Sequence, residues 1–138
     1  MTKVQPCPTI EFVRSLFDAF GRGDIDFVID AHDPEVVSEA PVSRHATLPW
    51  AGVRHGRDEV IEYFREMAAT VQPGGFRDLV FTASDDRVVV QGRNTGTVLA
   101  TEKMYDHEWV MVFTIRDDKI TRFRHFYDPA DIEAAMAD

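Results

Sequence analysis

The stretch RFRHFYDPADI, residues 122–132, sets a histidine, a tyrosine and an aspartate within four positions, and YDHEW upstream adds a second histidine and tyrosine. An imidazole beside a phenol can do proton chemistry. The histidine takes or gives a proton, and the tyrosine O–H can stabilise a developing oxyanion. His125 is the first candidate for a general base or acid, with His107, Tyr127 and Tyr105 as partners that polarise an oxygen. A second reading makes His125 a core histidine bonded to Tyr127 or to water, and makes each tyrosine a buried ring that needs only some partner. Asp128 drops out of the set. In YDPADI an acid precedes a proline and Asp131 follows three residues on, the order of N-cap, N1 and capping acid at a helix start.

The elements that would carry these residues are legible from periodicity. TIEFVRSLFDAFGRGD has Val13, Leu16, Phe17 and Phe20 on one helix face, and Gly21 and Gly23 end it. Asp24 caps a short second helix, DIDFVIDAH, and PEVVSEAP reads as a short strand closed by Pro41. VSRHATLPWAGVRHG reads as an irregular loop holding Trp50, and RDEVIEYFREMAATV as a third helix burying Val60, Ile61, Phe64, Met67 and Ala68. After QPGG the pattern changes to FRDLVFTAS, DRVVVQGRNTGTVLA, YDHEWVMVFTI and KITRFRHFYD, rich in β-branched and aromatic residues between polar turns. Helices followed by a mostly antiparallel sheet predict an α+β domain, with a short helix in PADIEAAMAD.

Composition narrows the function classes. A chain of 138 residues with 44% hydrophobic residues suits one globular domain spanning 1–138. The formal net charge of −9 disfavours nucleic acid and anionic lipid surfaces as partners. Cys7 stands alone, which excludes an internal disulfide and a cysteine-based zinc site and leaves a free thiol in an N-terminal tail. His32, His45 and His55 fall at loop-like positions without metal-ligand spacing, so solvated side chains and no metal are expected. MTKVQPCPTIEF lacks a signal-peptide apolar run, and a cytoplasmic location is the default.

Taken in order, GRGDIDFVIDAHDPEVVSEAP, LPWAGVRHGRDEVIEYF and EWVMVFTIRDDKITRFRHFYD resemble the SnoaL-like branch of the NTF2-like, ketosteroid-isomerase-like superfamily. The resemblance covers nearly the whole chain. It implies a cone-shaped α+β barrel, a curved sheet wrapped around three N-terminal helices, a deep apolar pocket, no cofactor, and a homodimer formed through the sheet. It places Leu16, Ala40 and Met111 where ketosteroid isomerases carry their tyrosine, aspartate base and protonated acid, so that isomerisation is not expected. It also places His125 where a limonene-type epoxide hydrolase carries an aspartate. The family's usual glycine at Asp118 implies a three-residue hairpin loop, Arg116 to Asp118, with Asp118 left-handed.

That loop sets Phe113 opposite Thr121, Met111 opposite Phe123, Trp109 opposite His125 and His107 opposite Tyr127. One face then gathers Tyr105, His107, Trp109, Met111, Phe113, Phe123, His125 and Tyr127. The other gathers Glu108, Val110, Val112, Arg122, Arg124 and Phe126, a half-apolar surface assigned to the dimer. The ligand pocket is expected to be lined by Leu16, Phe20, Ala40, Trp50, Phe64, Tyr105, Trp109, Met111 and Phe123. The register turns Ser38 and Ala40 inward and Glu39 outward; the opposite parity would make Glu39 a carboxylate near the pocket and a general base in its own right. Trp50 is a lid over the pocket or a plug in the core. Two functions stand: cofactor-free acid–base chemistry on a small apolar molecule with His125, His107 and Tyr127, or non-catalytic binding in the same pocket.

Overall fold

Two left-handed residues in succession, Asp117 and Asp118 (φ 50° and 57°), turn the chain at its most consequential hairpin. The computed structural model describes residues 8–41 and 48–137; Cys7 and His45 lie outside the described residues. The helices come first, α1 (Pro8–Gly21) and α2 (Ile25–Asp30), with α3 (Gly56–Thr70) after the first two strands. Gly23 (φ 80°) supplies the left-handed residue beyond α1. Asp24 Oδ1 accepts from the Phe27 N–H at 3.2 Å, satisfying a first-turn donor of α2.

The strands are β1 (His32–Ala40), β2 (Gly52–His55), β3 (Val71–Ser84), β4 (Arg87–Val98), β5 (Met104–Arg116) and β6 (Lys119–Phe126). They form one six-stranded sheet in the order β2-β1-β6-β5-β4-β3. Every neighbouring pair is antiparallel except β1 with β6. The sheet is open, with β2 and β3 at its edges, and wraps one face around α1 and α3. Val13, Leu16 and Phe17 of α1 and Val60 of α3 bury against Val88, Val90, Trp109 and Phe113. The short helix α4 (Ala130–Met136) follows the sheet. Asp128 Oδ1 accepts from the Ala130 N–H at 2.9 Å, so that acid is architecture. α4 is tied across the β4–β5 turn, where Thr101 donates to the Ala135 carbonyl at 2.5 Å and Lys103 to that of Ala137 at 2.6 Å.

Four sequence expectations change. The segment read as an irregular loop contains β2, whose four residues pair with β1 from Ala40↔Gly52 to Val37↔His55. The third helix buries Val60 and Tyr63 while Ala68 is exposed. At about 100° per residue the buried stripe is centred on Val60 and Met67 and turns toward Tyr63, away from Ala68. β3 starts at Val71, and QPGG is part of it, accommodated by a register irregularity between Pro73 and Phe76.

The fourth change is the hairpin. Arg116 pairs with Lys119, so the loop holds two residues, Asp117 and Asp118, in place of three. Ile115 pairs with Ile120 and Thr114 with Arg122, which leaves Thr121 as an extra residue on β6. This bulge restores the facing that a two-residue loop would have inverted. The observed partners are Phe113 with Phe123 and Met111 with His125, two residues along from the expected ones. The shift is even, so every side chain keeps its predicted face.

The turn yields a prediction. A two-residue loop with both residues left-handed suits Asn, Asp and Gly, and resists β-branched residues. Asp118→Val should lower unfolding stability by about 1–2 kcal/mol, and Asp118→Gly should leave it unchanged or raise it. Urea midpoints of both variants check this, and equal destabilisation by Gly and Val would contradict the turn geometry.

Candidate active site

Strand alternation sends Tyr105, His107, Trp109, Met111 and Phe113 from β5, and Phe123 and His125 from β6, to the concave face of the sheet. There they enclose a cavity of about 130 Å³ with α1 and α3. A single water needs roughly 10–15 Å³ by the same measure, so there is room for a small organic molecule. Ile132 of α4 also lines it.

The aromatic packing is dense. Phe17 of α1 stacks on Trp109, 5.8 Å between centroids and 7° between planes, while Phe76 meets both rings edge-on. The His125 ring lies 4.6 Å from Tyr127, 5.8 Å from Phe123 and 5.9 Å from Trp109. His107 sits 5.0 Å from Tyr105 and 5.3 Å from Tyr127. Tyr127 therefore stands between the two imidazoles, and the Trp50 indole N–H donates to its hydroxyl at 2.8 Å. That leaves the phenolic proton of Tyr127 free to donate. Trp50 is 2% exposed, so it is a core plug that also forms cavity wall.

The two histidines are the unsatisfied groups of this wall. Neither ring nitrogen of His125, nor Nδ1 of His107, has a hydrogen-bond partner among the described residues, and all three atoms are shut off from solvent. His125 is only half-buried as a residue, but its two nitrogens are what decide its charge. Burial, helped by the positive charge His107 would carry, pushes the His125 pKa down to about 3. Burial also lowers His107, partly opposed by Asp131 and Asp106. Tyr127 is pushed up to about 12 by burial against the pull of the Trp50 N–H, and burial raises Tyr105 and Tyr63. Near neutral pH the wall thus offers neutral imidazoles and neutral phenols.

Leu16, Phe20, Trp50, Phe64, Tyr105, Trp109, Met111 and Phe123 line the cavity with His125, His107 and Tyr127. Ala40 does not: it is buried in the neighbouring cluster with Leu48 and Trp50. The β1 register carries Ala40 past the cavity toward β2, leaving Ser38 as the inward residue that reaches it. His32 also corrects the reading, for it is 5% exposed and not solvated. Its Nδ1–H donates to the Val28 carbonyl at 2.7 Å, while Arg57 from α3 donates to the His32 carbonyl at 2.7 Å. His55 is exposed, as expected. Glu39 faces away and pairs with Arg122 at 3.0 Å and Arg124 at 3.5 Å.

Sequence reasoning missed Tyr63, His32 and Asn94 in the wall, while Ser38, expected to face inward, does reach it. Asn94 had a signal. On β4 the inward positions run Val88, Val90, Gly92, Asn94, Gly96 and Val98, and it is the one polar side chain among them.

A curved sheet closed by helices over an aromatic cavity is the architecture of the NTF2-like proteins. The chain belongs to the SnoaL-like domain family, whose model matches residues 13–123. An uncharacterised protein of Mycobacterium tuberculosis is 30% identical over 131 residues, covering 93% of this chain and 95% of that protein. An NTF2-like protein of Burkholderia xenovorans superposes with a TM-score of 0.80 at 25% identity, covering 94% of this chain and 95% of that one. TerC, crystallised with polyporic acid, superposes with a TM-score of 0.79 at 25% identity over 94% of this chain and 98% of that one.

The depressed imidazole sets a pH dependence of stability. His125 titrates at about 3 when folded and near the ordinary 6.5 when unfolded. Between those values the unfolded chain holds more protons, so stability that is full above 6.5 is lost as the pH falls toward 3. His107 and His32, also lowered, act in the same direction. Urea midpoints should therefore fall as the pH drops below about 6.5, and His125→Phe should flatten part of that slope. A slope unchanged in the variant would show that His125 is protonated alike in both states.

Proposed function

We propose that this protein performs cofactor-free proton-transfer chemistry, of isomerase, cyclase or hydrolase type, on a small and largely apolar molecule bearing a carbonyl or hydroxyl oxygen. The observation that carries the reading is His125, held in the cavity wall with both ring nitrogens unpartnered. A buried polar group left without a partner costs about 1–3 kcal/mol, which a polar group of the ligand would recover by pairing with it. Since His125 titrates far below neutrality, it acts as a neutral imidazole, with one N–H to donate and one nitrogen to accept. Tyr127 O–H, oriented by Trp50, and His107 are the proposed partners at the oxygen. TerC, the structural neighbour at 25% identity, was crystallised with polyporic acid, which supports reading the cavity as a ligand site. Ketosteroid isomerisation is not the proposed reaction, since Leu16 and Met111 supply no proton-bearing group.

One observation favours a second reading. No aspartate or glutamate is among the described residues lining the cavity, so these offer no strong anionic base. A protein that binds the same class of molecule without transforming it would need none. The proposal extends to a cytoplasmic homodimer joined through the outer sheet face. Val110, Val112 and Phe126 on that face are flanked by charged groups, and Phe126 is 44% exposed.

A thermal-shift screen of small hydrophobic ketones and phenols would supply ligands, and His125→Phe, which keeps ring and volume, is the discriminating variant. Turnover of any substrate found should fall by at least about a hundredfold if His125 moves a proton. A change confined to affinity, of about 1–3 kcal/mol, would favour binding alone. Unchanged turnover and affinity would reduce His125 to core packing. Sedimentation at micromolar concentration should show a dimer, and a monomer would remove that part of the proposal.

A further inference from the structure

Asn94 is a polar residue of the cavity that no sequence motif singled out, and its surroundings are built around it. It lies at the centre of GRNTG on β4, directly opposite His107 on β5. On either side, Gly92 faces Trp109 and Gly96 faces Tyr105. A Cβ at Gly92 would stand 2.8 Å from the Trp109 ring, and one at Gly96 would collide with the Tyr105 ring and hydroxyl. The two glycines therefore let those rings fold across β4, one on each side of the asparagine.

The Trp109 indole N–H donates to Asn94 Oδ1 at 3.0 Å. An indole nitrogen can only donate, so this bond settles which end of the carboxamide is which. The oxygen faces Trp109, and the NH₂ group is left without an acceptor among the described residues. Its cross-strand neighbour His107 has an unpartnered Nδ1. A fixed amide donor and a neutral imidazole thus sit side by side in a wall that is otherwise mostly apolar.

We infer that Asn94 is a substrate-binding residue, its carboxamide N–H donating to a carbonyl oxygen of the bound molecule beside His107. The inference rests on the proposed reading of the cavity as a small-molecule site, and it assigns the carbonyl to the Asn94–His107 side and not to His125. It favours a ligand that presents a carbonyl oxygen there, such as a ketone, quinone or enone, over a hydrocarbon of the same shape. The indole bond makes the donor rigid. A ligand offering only a C–H surface at that place would leave the donor unpaired, so the site discriminates against the hydrocarbon.

Binding of 1-tetralone and of tetralin, followed by tryptophan fluorescence at pH 8, tests this in the full chain. The parent should hold the ketone about tenfold tighter than the hydrocarbon, the scale of one net hydrogen bond. Asn94→Asp keeps the acceptor for Trp109 and the side-chain shape but replaces the donor by an anionic oxygen. It should abolish the preference for the ketone over the hydrocarbon. In the unmodified protein, the Asn94 side-chain NH₂ resonances should shift with 1-tetralone and not with tetralin, a readout independent of how the variant folds. If the preference survives Asn94→Asp, or disappears in His125→Phe instead, the carbonyl lies elsewhere and this inference fails while the cavity reading stands. If the parent binds neither compound, the cavity reading fails and takes this inference with it.

Discussion

The register of the β5–β6 hairpin is the constraint on which the rest of the molecule depends. A two-residue turn alone would put Phe123 and His125 on the opposite face from Trp109 and Phe113, and the cavity would lose both from its wall. Thr121 prevents this by standing as one extra residue on β6, with its hydroxyl donating to the Thr114 carbonyl at 3.3 Å. A bulge also increases local twist, which suits a sheet that must curl around α1 and α3. The same residue therefore sets which side chains face inward and favours the curvature that gives them an inside to face.

The wall so formed has two kinds of contact with opposite energetics. Phe17, Phe76, Trp109 and Phe113 meet in stacked and edge-on pairs, each worth about 0.5–1.5 kcal/mol beyond burial. The unpartnered nitrogens of His125 and His107 work against that packing. A core selected for stability alone would place apolar rings there, as it does at Phe113 and Phe123. That stability is given up at two positions, one on either side of a tyrosine whose hydroxyl is oriented by Trp50, is the physical content of the functional proposal.

Charge is kept outside. Arg93 bridges Asp106 and Glu108 on the convex face, Arg77 pairs with Asp106, and Glu39 holds Arg122 and Arg124. These exposed pairs contribute little to stability, about 0–1 kcal/mol each. Their consequence is a division of labour between the faces. Alternation along β5 and β6 sends neutral hydrogen-bonding groups into the cavity and ionised ones to the surface, so a bound molecule would meet directional donors and acceptors without a net charge.

By itself the sequence determined the elements and their faces. Glycines after α1, the Asp24 cap and the YDP start of α4 act within a few residues, and alternation along β5 and β6 is local as well. Trp109, Phe123 and His125 could therefore be assigned to one face even though the loop between them was misread. Local signals could not choose between a three-residue loop and a two-residue loop with a bulge, because both give the same parity and differ only in pairing across strands. Nor could they find β2, whose four residues are extended only because β1 pairs with them. The burial of His32 was equally out of reach, since its bond to the Val28 carbonyl is local but Arg57 of α3 reaches it only once the helix packs against β1. Ala40 left the cavity and Asn94 entered it for the same reason. An inward-facing residue touches the cavity only where the curved sheet and the helices leave space, and that position is a property of the assembled structure rather than of any one strand.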